Sequence, residues 1–342
     1  MLKDSKDLKD PKDLPLITLQ PYNLTTSKPK LTTSSTMKIL VATEKPFAKE
    51  AVEGIKKIVE TGGHDFALLE KYTEKQQLLD AVATANAIII RSDKIDAEVM
   101  DAASNLKIVV RAGAGYDNVD LEAATARGIV VMNTPGQNAN AVAELVFAML
   151  LYNNRAQFTG KAGCELKGKK LGLLGFGHVA QHVGTLANGF GMYVYAYDAF
   201  GRRDNIDAAG LHYISSKEEM FKNCDIVSLH IPLKPDTKES ITGDLMKLMP
   251  KGGTVVNTAR KEVMHEPSVF DAMKERSDLR YITDIMPDNN EQMATLGMQY
   301  FSTPKKMGAQ TAEANANAGF AAARQIVEFF NSGCKRFQVN PF

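Results

Sequence analysis

A glycine turn between two apolar runs is the feature of this chain best suited to chemistry. The stretch from Leu171 to Asp198 reads LGLLGFGHVAQHVGTLANGFGMYVYAYD. Its first apolar run predicts a buried strand, and Gly175 and Gly177 predict a tight turn into a helix. A second apolar run ends at the carboxylate of Asp198. Glycines in such a turn let the backbone approach a pyrophosphate, and the helix N-terminus offers N–H groups and partial positive charge.

The spacing between the turn and the acid makes the motif more specific. Asp198 comes 21 residues after Gly177, where a carboxylate would bind the ribose hydroxyls of a dinucleotide. Ala180 fills the third glycine position, so the motif reads GxGxx(G/A), which is weak by itself. With both strands and the acid in place, the stretch predicts dinucleotide binding. The alternative is a glycine turn in an unrelated α/β protein.

Strand and helix patterns alternate along the chain, which predicts an α/β protein with two doubly wound parallel sheets. The first series begins at Met37, and the second contains the glycine motif. Between them AVAELVFAMLLYNNRAQF is apolar nearly all round, which predicts a helix packed between domains or subunits. An alanine-rich helix over Ala309 to Phe330 is expected to return to the first domain. We expect the active site in the cleft between the domains. The predicted strands are MKILVA, residues 66–69, NAIIIRS, KIVVRAG, IVVMNTP, LGLL, YVYAYD, CDIVSLHIP, GTVVNTA and LRYITDIM.

Composition excludes several classes of protein. The 342 residues carry a formal net charge of +1 with both signs spread along the chain, which argues against nucleic acid or an anionic membrane as a partner. The longest apolar runs are too short to span a membrane. Three cysteines, far apart and odd in number, indicate reduced thiols in a cytoplasmic compartment, with no disulfide framework and no metal site.

Residues 1–36 differ in composition from the rest of the chain. They begin with a Lys/Asp alternation broken by prolines and continue with a segment rich in Ser, Thr and Lys. No apolar segment typical of a secretory signal occurs there, and the aspartates and lack of arginine argue against a transit peptide. We therefore expect a disordered extension, with Met37 starting the first strand.

Four segments together resemble the D-isomer-specific 2-hydroxyacid dehydrogenases. They are RAGAGYDNVDLEAATARGIVVMNTP, LGLLGFGHV, CDIVSLHIPLKPDT and GTVVNTAR, and the resemblance covers Met37 to about Gly333. It is strongest to the branch of the family that acts on 3-phosphoglycerate. It implies two Rossmann-like domains: a substrate-binding domain of residues 37–136 and 309–337, and an NAD-binding domain of residues 137–308. It also implies a homodimer, and since the chain stops at Phe342, no C-terminal regulatory domain is expected.

The resemblance also assigns roles to individual residues. The pyrophosphate would lie on backbone groups of the glycine turn, and Asp198 would bind the adenosine ribose of NAD. NAD is expected rather than NADP because the Asp198 carboxylate would repel a 2′-phosphate, although Arg202 and Arg203 follow closely. Arg260 would bind the substrate carboxylate and polarise the carbonyl. The expected cofactor-binding residues are Gly175, Gly177, His178, Val179, Asp198, Ile231, Pro232, Thr258, Ala259, Asp284 and Gly308.

The sequence departs from the family where its acid/base histidine is expected. The family pattern PHxGAxT reads Thr303-Pro304-Lys305-Lys306-Met307-Gly308-Ala309 here. Counting back from Gly308 aligns the histidine with Lys306, which we favour, and counting forward from Pro304 aligns it with Lys305. The glutamate that normally partners the histidine is replaced by Asn289.

The two departures are consistent with lysine acid/base chemistry. A free lysine has a pKa of about 10.4, so a carboxylate partner would make its proton still harder to remove. Loss of the glutamate, burial of the amine and a nearby Arg260 would all lower that pKa. We therefore predict Lys306 as the acid/base, with a structural lysine as the alternative. Asp288 is a neighbouring carboxylate, so the direction of its side chain matters.

The expected reaction is the oxidation of 3-phospho-D-glycerate to 3-phosphohydroxypyruvate with NAD. The substrate phosphate and carboxylate need cations and backbone donors, and the resemblance places candidates after two strands of the first series. One alternative is a reductase for glyoxylate, hydroxypyruvate or another 2-keto acid, and another is a non-catalytic NAD(H)-sensing corepressor. The expected substrate-binding residues are Arg91, Lys94, Arg111, Ala114 and Gly115.

Overall fold

The computed structural model describes residues 36–341, and these fall into two compact units. The first unit comprises residues 36–142 and 307–341, and the second comprises residues 143–306. The predicted disordered extension lies outside the described residues up to position 35. The predicted domain boundaries at residues 136 and 308 stay a prediction.

The structure has a strand at every predicted position and two that were not predicted, β8 and β12. The strands are β1 (Lys38–Thr43), β2 (Asp65–Glu70), β3 (Ala87–Ile90), β4 (Ile108–Arg111), β5 (Val130–Asn133), β6 (Lys170–Leu174), β7 (Tyr193–Tyr197), β8 (His212–Tyr213), β9 (Ile226–Leu229), β10 (Thr254–Asn257), β11 (Arg280–Thr283) and β12 (Tyr300–Ser302). The helices are α1 (Lys49–Thr61), α2 (Lys75–Val82), α3 (Ala97–Ala102), α4 (Leu121–Ala126), α5 (Ala139–Asn154), α6 (His178–Gly189), α7 (Arg203–Ala208), α8 (Lys217–Asn223), α9 (Gly243–Lys247), α10 (Glu266–Glu275), α11 (Asn290–Ala294) and α12 (Ala312–Ser332).

The first unit is built on a five-stranded parallel sheet in the order β2-β1-β3-β4-β5. The central strand β3 is AIII and is buried along its whole length, as a parallel strand covered on both faces must be. One face packs against α2, α3 and α4, and the other packs against α1 and α12. Alternate residues of each strand therefore belong to different cores.

Helix α12 covers the first sheet through its small residues. Ala318, Ala322 and Ile326 are buried against strands β1, β3 and β4 and against α1. The helix starts after Thr311, whose hydroxyl accepts the backbone N–H of Ala314, and ends at Gly333 with a left-handed φ of 72°. The predicted helix over 309–330 is thus confirmed within two or three residues of each end.

The second unit holds a seven-stranded parallel sheet in the order β12-β11-β10-β9-β6-β7-β8. Helices α5 and α6 bury one face, and α8, α9 and α10 bury the other. The apolar helix α5 packs on α6 and its C-terminal turn, where Phe147 stacks on Phe190 at 4.8 Å between ring centroids. Two parallel α/β units are thus present, which confirms the predicted fold class.

Among residues 36–341 no helix is both long and apolar enough to cross a membrane.

The first unit contains a histidine, His64, whose side chain is buried. His64 is 4% exposed and packs edge-on against Phe330. Neither ring nitrogen has a hydrogen-bond partner among the described residues. Burial lowers the pKa of His64 below 6.5, although the charge of Asp65 opposes this.

We expect His64→Phe to reduce the loss of stability at acid pH. As pH falls below about 6.5 the unfolded chain gains a proton that folded His64 does not bind, so the free energy of unfolding decreases. Urea unfolding at pH 7.5 and 5.0 measures this for the wild type and the variant. His212→Gln, at an exposed position, is the control. Equal pH dependence in wild type and His64→Phe would contradict the assignment.

Candidate active site

The glycine turn of the second unit lies at the carboxyl end of β6. Gly175 has a φ of 90° and donates its N–H to the carbonyl of Tyr197 at 2.8 Å. A Cβ at Gly175 would lie 2.7 Å from the carbonyl oxygen of His230 on the neighbouring strand end. The position therefore requires glycine for both conformation and space. Helix α6 follows directly, and its N-cap Gly177 has no side-chain capping bond.

The carboxylate of Asp198 is buried beneath this turn, with 7% of the residue exposed. One oxygen accepts the N–H of Phe176 at 2.8 Å, and the other accepts the N–H of Phe200 at 2.9 Å. Arg202 donates to the carbonyl of Phe176 at 3.1 Å, and its Nε lies 3.9 Å from the Asp198 carboxylate. Asp198 therefore holds the turn in place and keeps a second lone pair on each oxygen.

The loop after β9 borders the same region. It carries Ile231 and Pro232, and the Thr237 hydroxyl donates to the Pro232 carbonyl at 2.6 Å. Lys234 of this loop lies over the ring of Phe200, 4.6 Å from its centroid, although that ring is 70% exposed. A cation–π contact thus joins the loop after β7 to the loop after β9.

Two histidines near the turn differ in environment. His178 opens α6 and is exposed. His230 directly follows β9, and burial lowers its pKa to about 3, so its ring is neutral at physiological pH. Its Nε2 has no hydrogen-bond partner among the described residues. A histidine that stays neutral to such low pH is poorly suited to proton transfer near pH 7.

The motif NTAR forms a tight turn after β10, organised by the fully buried Asn257. Its side chain accepts the N–H of Ala259 at 3.0 Å and donates to the carbonyl of Arg260 at 2.9 Å. The Arg260 guanidinium in turn donates to the Ala259 carbonyl. Asn257 was part of the quoted motif but was not predicted as a site residue. Its amide fixes the backbone that carries Thr258, Ala259 and Arg260.

Asp284 and Thr303 occupy the same edge, directly after β11 and β12. Asp284 is 1% exposed, and its N–H donates to the Asn257 carbonyl at 3.0 Å. The Thr303 hydroxyl lies 2.9 Å from Asp284 Oδ1 and 3.0 Å from the carbonyl of Lys305. The structure thus joins the predicted nicotinamide-side carboxylate to the predicted acid/base segment through a residue that the sequence analysis missed.

Both candidate acid/base lysines, Lys305 and Lys306, are exposed. The burial of the amine expected from the sequence is therefore not present in the structure. Gly308, two residues beyond Lys306, is buried. Counting back along the sequence from this buried glycine aligns Lys306, rather than Lys305, with the family histidine.

The loop after β11 is held by a carboxylate on α10. Glu266 accepts the N–H groups of Asp288 at 3.2 Å and Asn289 at 3.0 Å. The Asp288 side chain points to Lys261 and forms an ion pair with it. Asn289 Oδ1 is buried and has no partner among the described residues. The neighbouring carboxylate that the sequence left open is thus paired with Lys261.

The five predicted substrate-binding residues lie in the first unit, at or after the carboxyl ends of β3 and β4. The Arg91 guanidinium donates to the carbonyls of Lys45 and Pro46 at 3.0 Å and to Asn315 Oδ1 at 2.6 Å. It also lies over the Phe47 ring. Arg91 is therefore already well bonded, and burial lowers its pKa.

The other four predicted substrate-binding residues lie at the end of β4 and in the loops after β3 and β4. The Lys94 side chain is 80% exposed, with its amine 4.0 Å from Asp96. Arg111 donates from Nε to the Arg91 carbonyl at 3.0 Å. The Ala114 carbonyl accepts from the Asn133 amide at 2.6 Å, and Ala114 and Gly115 continue the loop that begins at Arg111.

Asp93 holds the loops at these strand ends together, and it was not predicted as a site residue. It is 3% exposed and accepts the N–H groups of Glu44 and Arg91 at 2.7 and 3.0 Å. It also accepts the hydroxyl of Tyr72 at 2.8 Å, and burial and this bond raise the pKa of Tyr72. A second buried carboxylate thus joins strand-end loops, as Asp198 does in the second unit.

Comparison with known proteins identifies the family. The model for the catalytic domain of D-isomer specific 2-hydroxyacid dehydrogenases matches residues 39–340. The chain belongs to this family. Among residues 36–341, this dehydrogenase has no group of three or more His, Cys, Asp or Glu side chains that could hold a metal ion.

Individual relatives of this dehydrogenase are named for two activities. The crystal structure of 3-phosphoglycerate dehydrogenase from Entamoeba histolytica, with NAD⁺ bound, is 46% identical with a TM-score of 0.80, and the match covers 90% of this chain and 100% of that chain. D-3-phosphoglycerate dehydrogenase of Methanocaldococcus jannaschii is 34% identical over 74% of this chain and 51% of its own length. Hydroxypyruvate reductase of Thermotoga maritima is 31% identical over 77% of this chain and 90% of its own length. The chain thus spans about half the length of the first of these curated relatives.

The two glycines of the turn make a matched pair for a stability test. Gly175→Ala forces a left-handed φ on alanine and places Cβ against the His230 carbonyl, so we expect a loss of about 2 kcal/mol or more. Gly177 has a φ of −84° and nothing within 4 Å of an added Cβ, so Gly177→Ala should cost no more than about 1 kcal/mol, the effect of a poorer N-cap residue. Denaturant unfolding measures both. Equal losses would mean that the turn is not strained as described.

Proposed function

We propose that the protein oxidises 3-phospho-D-glycerate to 3-phosphohydroxypyruvate with NAD, the first step of serine biosynthesis. The observation that carries the proposal is the edge of the second sheet, where the glycine turn, Asp198 and the NTAR turn share the carboxyl ends of parallel strands. The 46% identical relative with NAD⁺ bound is a 3-phosphoglycerate dehydrogenase, which supports both the cofactor and the substrate class.

The residues of the second unit fit an NAD molecule. The backbone at Gly177 is open, since an added Cβ would meet nothing within 4 Å, and a pyrophosphate could approach it. We assign the pyrophosphate to Gly175, Gly177, His178 and Val179, and the adenosine ribose to Asp198. Ile231 and Pro232 would line the adenine side. Asp198 favours NAD over NADP because its carboxylate would repel a 2′-phosphate.

Thr258, Ala259, Asp284 and Gly308 are assigned to the nicotinamide end. Asp284 is held by backbone and hydroxyl contacts after β11, so its carboxylate has a fixed direction. When bound, NAD⁺ supplies the electron-pair acceptor for oxidation at C2 of the substrate. The protein has to orient that carbon and accept the proton of the 2-hydroxyl group.

Arg260 and Lys306 are the proposed catalytic residues. A guanidinium can bind a carboxylate in bidentate geometry, and it stabilises negative charge on a developing carbonyl oxygen. The Lys306 amine, when neutral, accepts the proton from the 2-hydroxyl group and returns it in the reverse reaction. Bound substrate would cover this exposed side chain, and removal from water disfavours the charged form of an amine.

The loop after β11 carries an amide where the family has the glutamate that partners its acid/base residue. Asn289 replaces the family glutamate, and the next carboxylate, Asp288, is paired with Lys261. A neutral amide at position 289 does not stabilise a protonated amine as a glutamate would.

Recognition of the substrate phosphate is assigned to Arg91, Lys94 and Arg111, with Ala114 and Gly115 near the carboxylate. Arg91 donates to three oxygens of its own unit, so it contributes to a phosphate site mainly through its charge. This arrangement also favours a second candidate function, a hydroxypyruvate or glyoxylate reductase. The 31% identical hydroxypyruvate reductase from Thermotoga maritima supports that alternative.

We also propose a cytoplasmic homodimer. Near the end of α5 and the turn that follows it, Leu151 is 37% exposed and Phe158 is 71% exposed. Phe190 directly follows α6 and stacks on Phe147 of α5, and it is 38% exposed. Such a group of exposed apolar side chains is typical of a protein–protein interface.

Kinetics with phosphorylated and plain substrates test the proposed activity. With NADH, we expect kcat/KM for 3-phosphohydroxypyruvate to exceed that for hydroxypyruvate by at least about tenfold, or about 1.4 kcal/mol in transition-state binding. The reaction is followed by NADH absorbance, with glyoxylate as a further substrate. Equal kcat/KM values for the two substrates would favour the hydroxypyruvate or glyoxylate reductase. NADH binding without turnover of any of these substrates would contradict both proposed activities.

The adjacent lysines provide a matched test of the acid/base. We expect Lys306→Ala to lower kcat by about 10²–10⁴-fold, since it removes the proton acceptor, while the dissociation constant for NADH stays nearly unchanged. Lys305→Ala should retain activity. Nucleotide binding is measured by fluorescence and turnover by initial rates. The assignment fails if Lys306→Ala turns over at the wild-type rate.

A further inference from the structure

The hydroxyl of Thr303 lies among three oxygen atoms in the interior of the second unit. Thr303 is 4% exposed and follows β12. Its Oγ1 is 2.9 Å from Asp284 Oδ1, 3.0 Å from the Asp284 carbonyl oxygen and 3.0 Å from the Lys305 carbonyl oxygen. Its backbone N–H donates to the carbonyl oxygen of Thr283 at 3.0 Å, so the residue continues the pairing of β12 with β11.

A hydroxyl group has one proton, which two nearby acceptors can share in a three-centre hydrogen bond. The strongest acceptor is an ionised carboxylate, because a charge-assisted hydrogen bond is stronger than a neutral one. The Thr303 hydroxyl lies within hydrogen-bond distance of the Asp284 carboxylate and of the Lys305 carbonyl. It therefore links the carboxylate after β11 to the backbone of the lysine segment.

We propose that Thr303 is a positioning residue that couples the Asp284 carboxylate to the backbone of the lysine segment. Lys306 follows Lys305 directly, so the hydroxyl acts on the proposed acid/base through one peptide unit. Through its contact with the Lys305 carbonyl, the Thr303 hydroxyl restrains residues 304–306 in the protein without ligand. The catalytic consequence rests on the proposed function. The coupling itself can be measured on the protein without substrate or cofactor.

Two substitutions separate the hydroxyl from the shape of the side chain. Thr303→Val keeps the branched shape and removes the hydroxyl, and Thr303→Ser keeps the hydroxyl. Thr185→Val is the matched control, because the Thr185 hydroxyl donates to the Gln181 carbonyl on an exposed face of α6. Thr303→Ala gives a second variant without the hydroxyl, should valine lower the melting temperature.

Hydrogen exchange of the protein without ligand tests the coupling directly. We expect faster exchange at the amides of residues 305–307 in Thr303→Val, and wild-type exchange in Thr303→Ser and Thr185→Val. A wild-type rate in both variants that lack the hydroxyl would overturn the proposal. So would equally fast exchange in Thr303→Ser, because the methyl group rather than the hydroxyl would then hold the segment.

Steady-state kinetics with 3-phosphohydroxypyruvate and NADH test the catalytic consequence. We expect Thr303→Val to lower kcat by about 10–100-fold with KM changed less than threefold, and to shift the profile of kcat against pH. Thr303→Ser should restore both. An unchanged kcat and pH profile would overturn the catalytic role. If the wild type reduces no 2-keto acid, the proposed function fails, and the exchange result still decides the coupling.

Discussion

The parallel register of β10, β11 and β12 is the constraint on which the candidate site depends. Parallel pairing brings the carboxyl ends of these strands to one edge of the second sheet. Polar residues that follow each strand are then neighbours, although they lie far apart in the chain. Asn257, Asp284 and Thr303 are buried there, and each satisfies backbone or side-chain groups of the adjacent loop. Buried polar groups need such partners, so the loops have little freedom to move apart.

Two carboxylates serve the two sheets in the same way. Asp198 accepts backbone N–H groups from the glycine turn and from its own loop, and Asp93 accepts them from the loops after β1 and β3. Each is almost fully buried. Because a carboxylate accepts several bonds from N–H groups, one side chain can fix two loops. Backbone bonds to these two carboxylates thus position the strand-end loops that carry predicted site residues.

The sequence predicts the features that depend on local pattern. Apolar runs locate both sheets, and the spacing of Gly175, Gly177 and Asp198 locates the turn and its acid. Strands β8 and β12 were missed, since two or three residues are too few to show a period. The prediction of Asp198 was incomplete, because its bonds to Phe176 and Phe200 come from the folded turn and not from the spacing.

Long-range contacts explain what the sequence left unpredicted at the site. Arg91 was predicted to bind the substrate phosphate. In the structure its guanidinium also bonds Asn315, which lies 224 positions away in the chain. Glu266 holds Asp288 and Asn289 from another helix, and no local motif marks it. Lys306 was expected to be buried and is exposed. Each of these results depends on which loops meet at a strand end, and a single sequence does not encode that as a pattern.

The structural role of Asp198, which is also the proposed ribose ligand, limits how the protein could be redesigned. Replacing an acid at this position is the usual way to admit a phosphorylated ribose. Here the exchange would also leave the N–H groups of Phe176 and Phe200 without acceptors, at a cost of about 1–3 kcal/mol for each group that stays buried. A change of coenzyme preference would therefore have to rebuild the turn as well as the pocket. If Asp198 binds the ribose as proposed, selection for one nucleotide and selection for a stable fold act on the same two oxygen atoms.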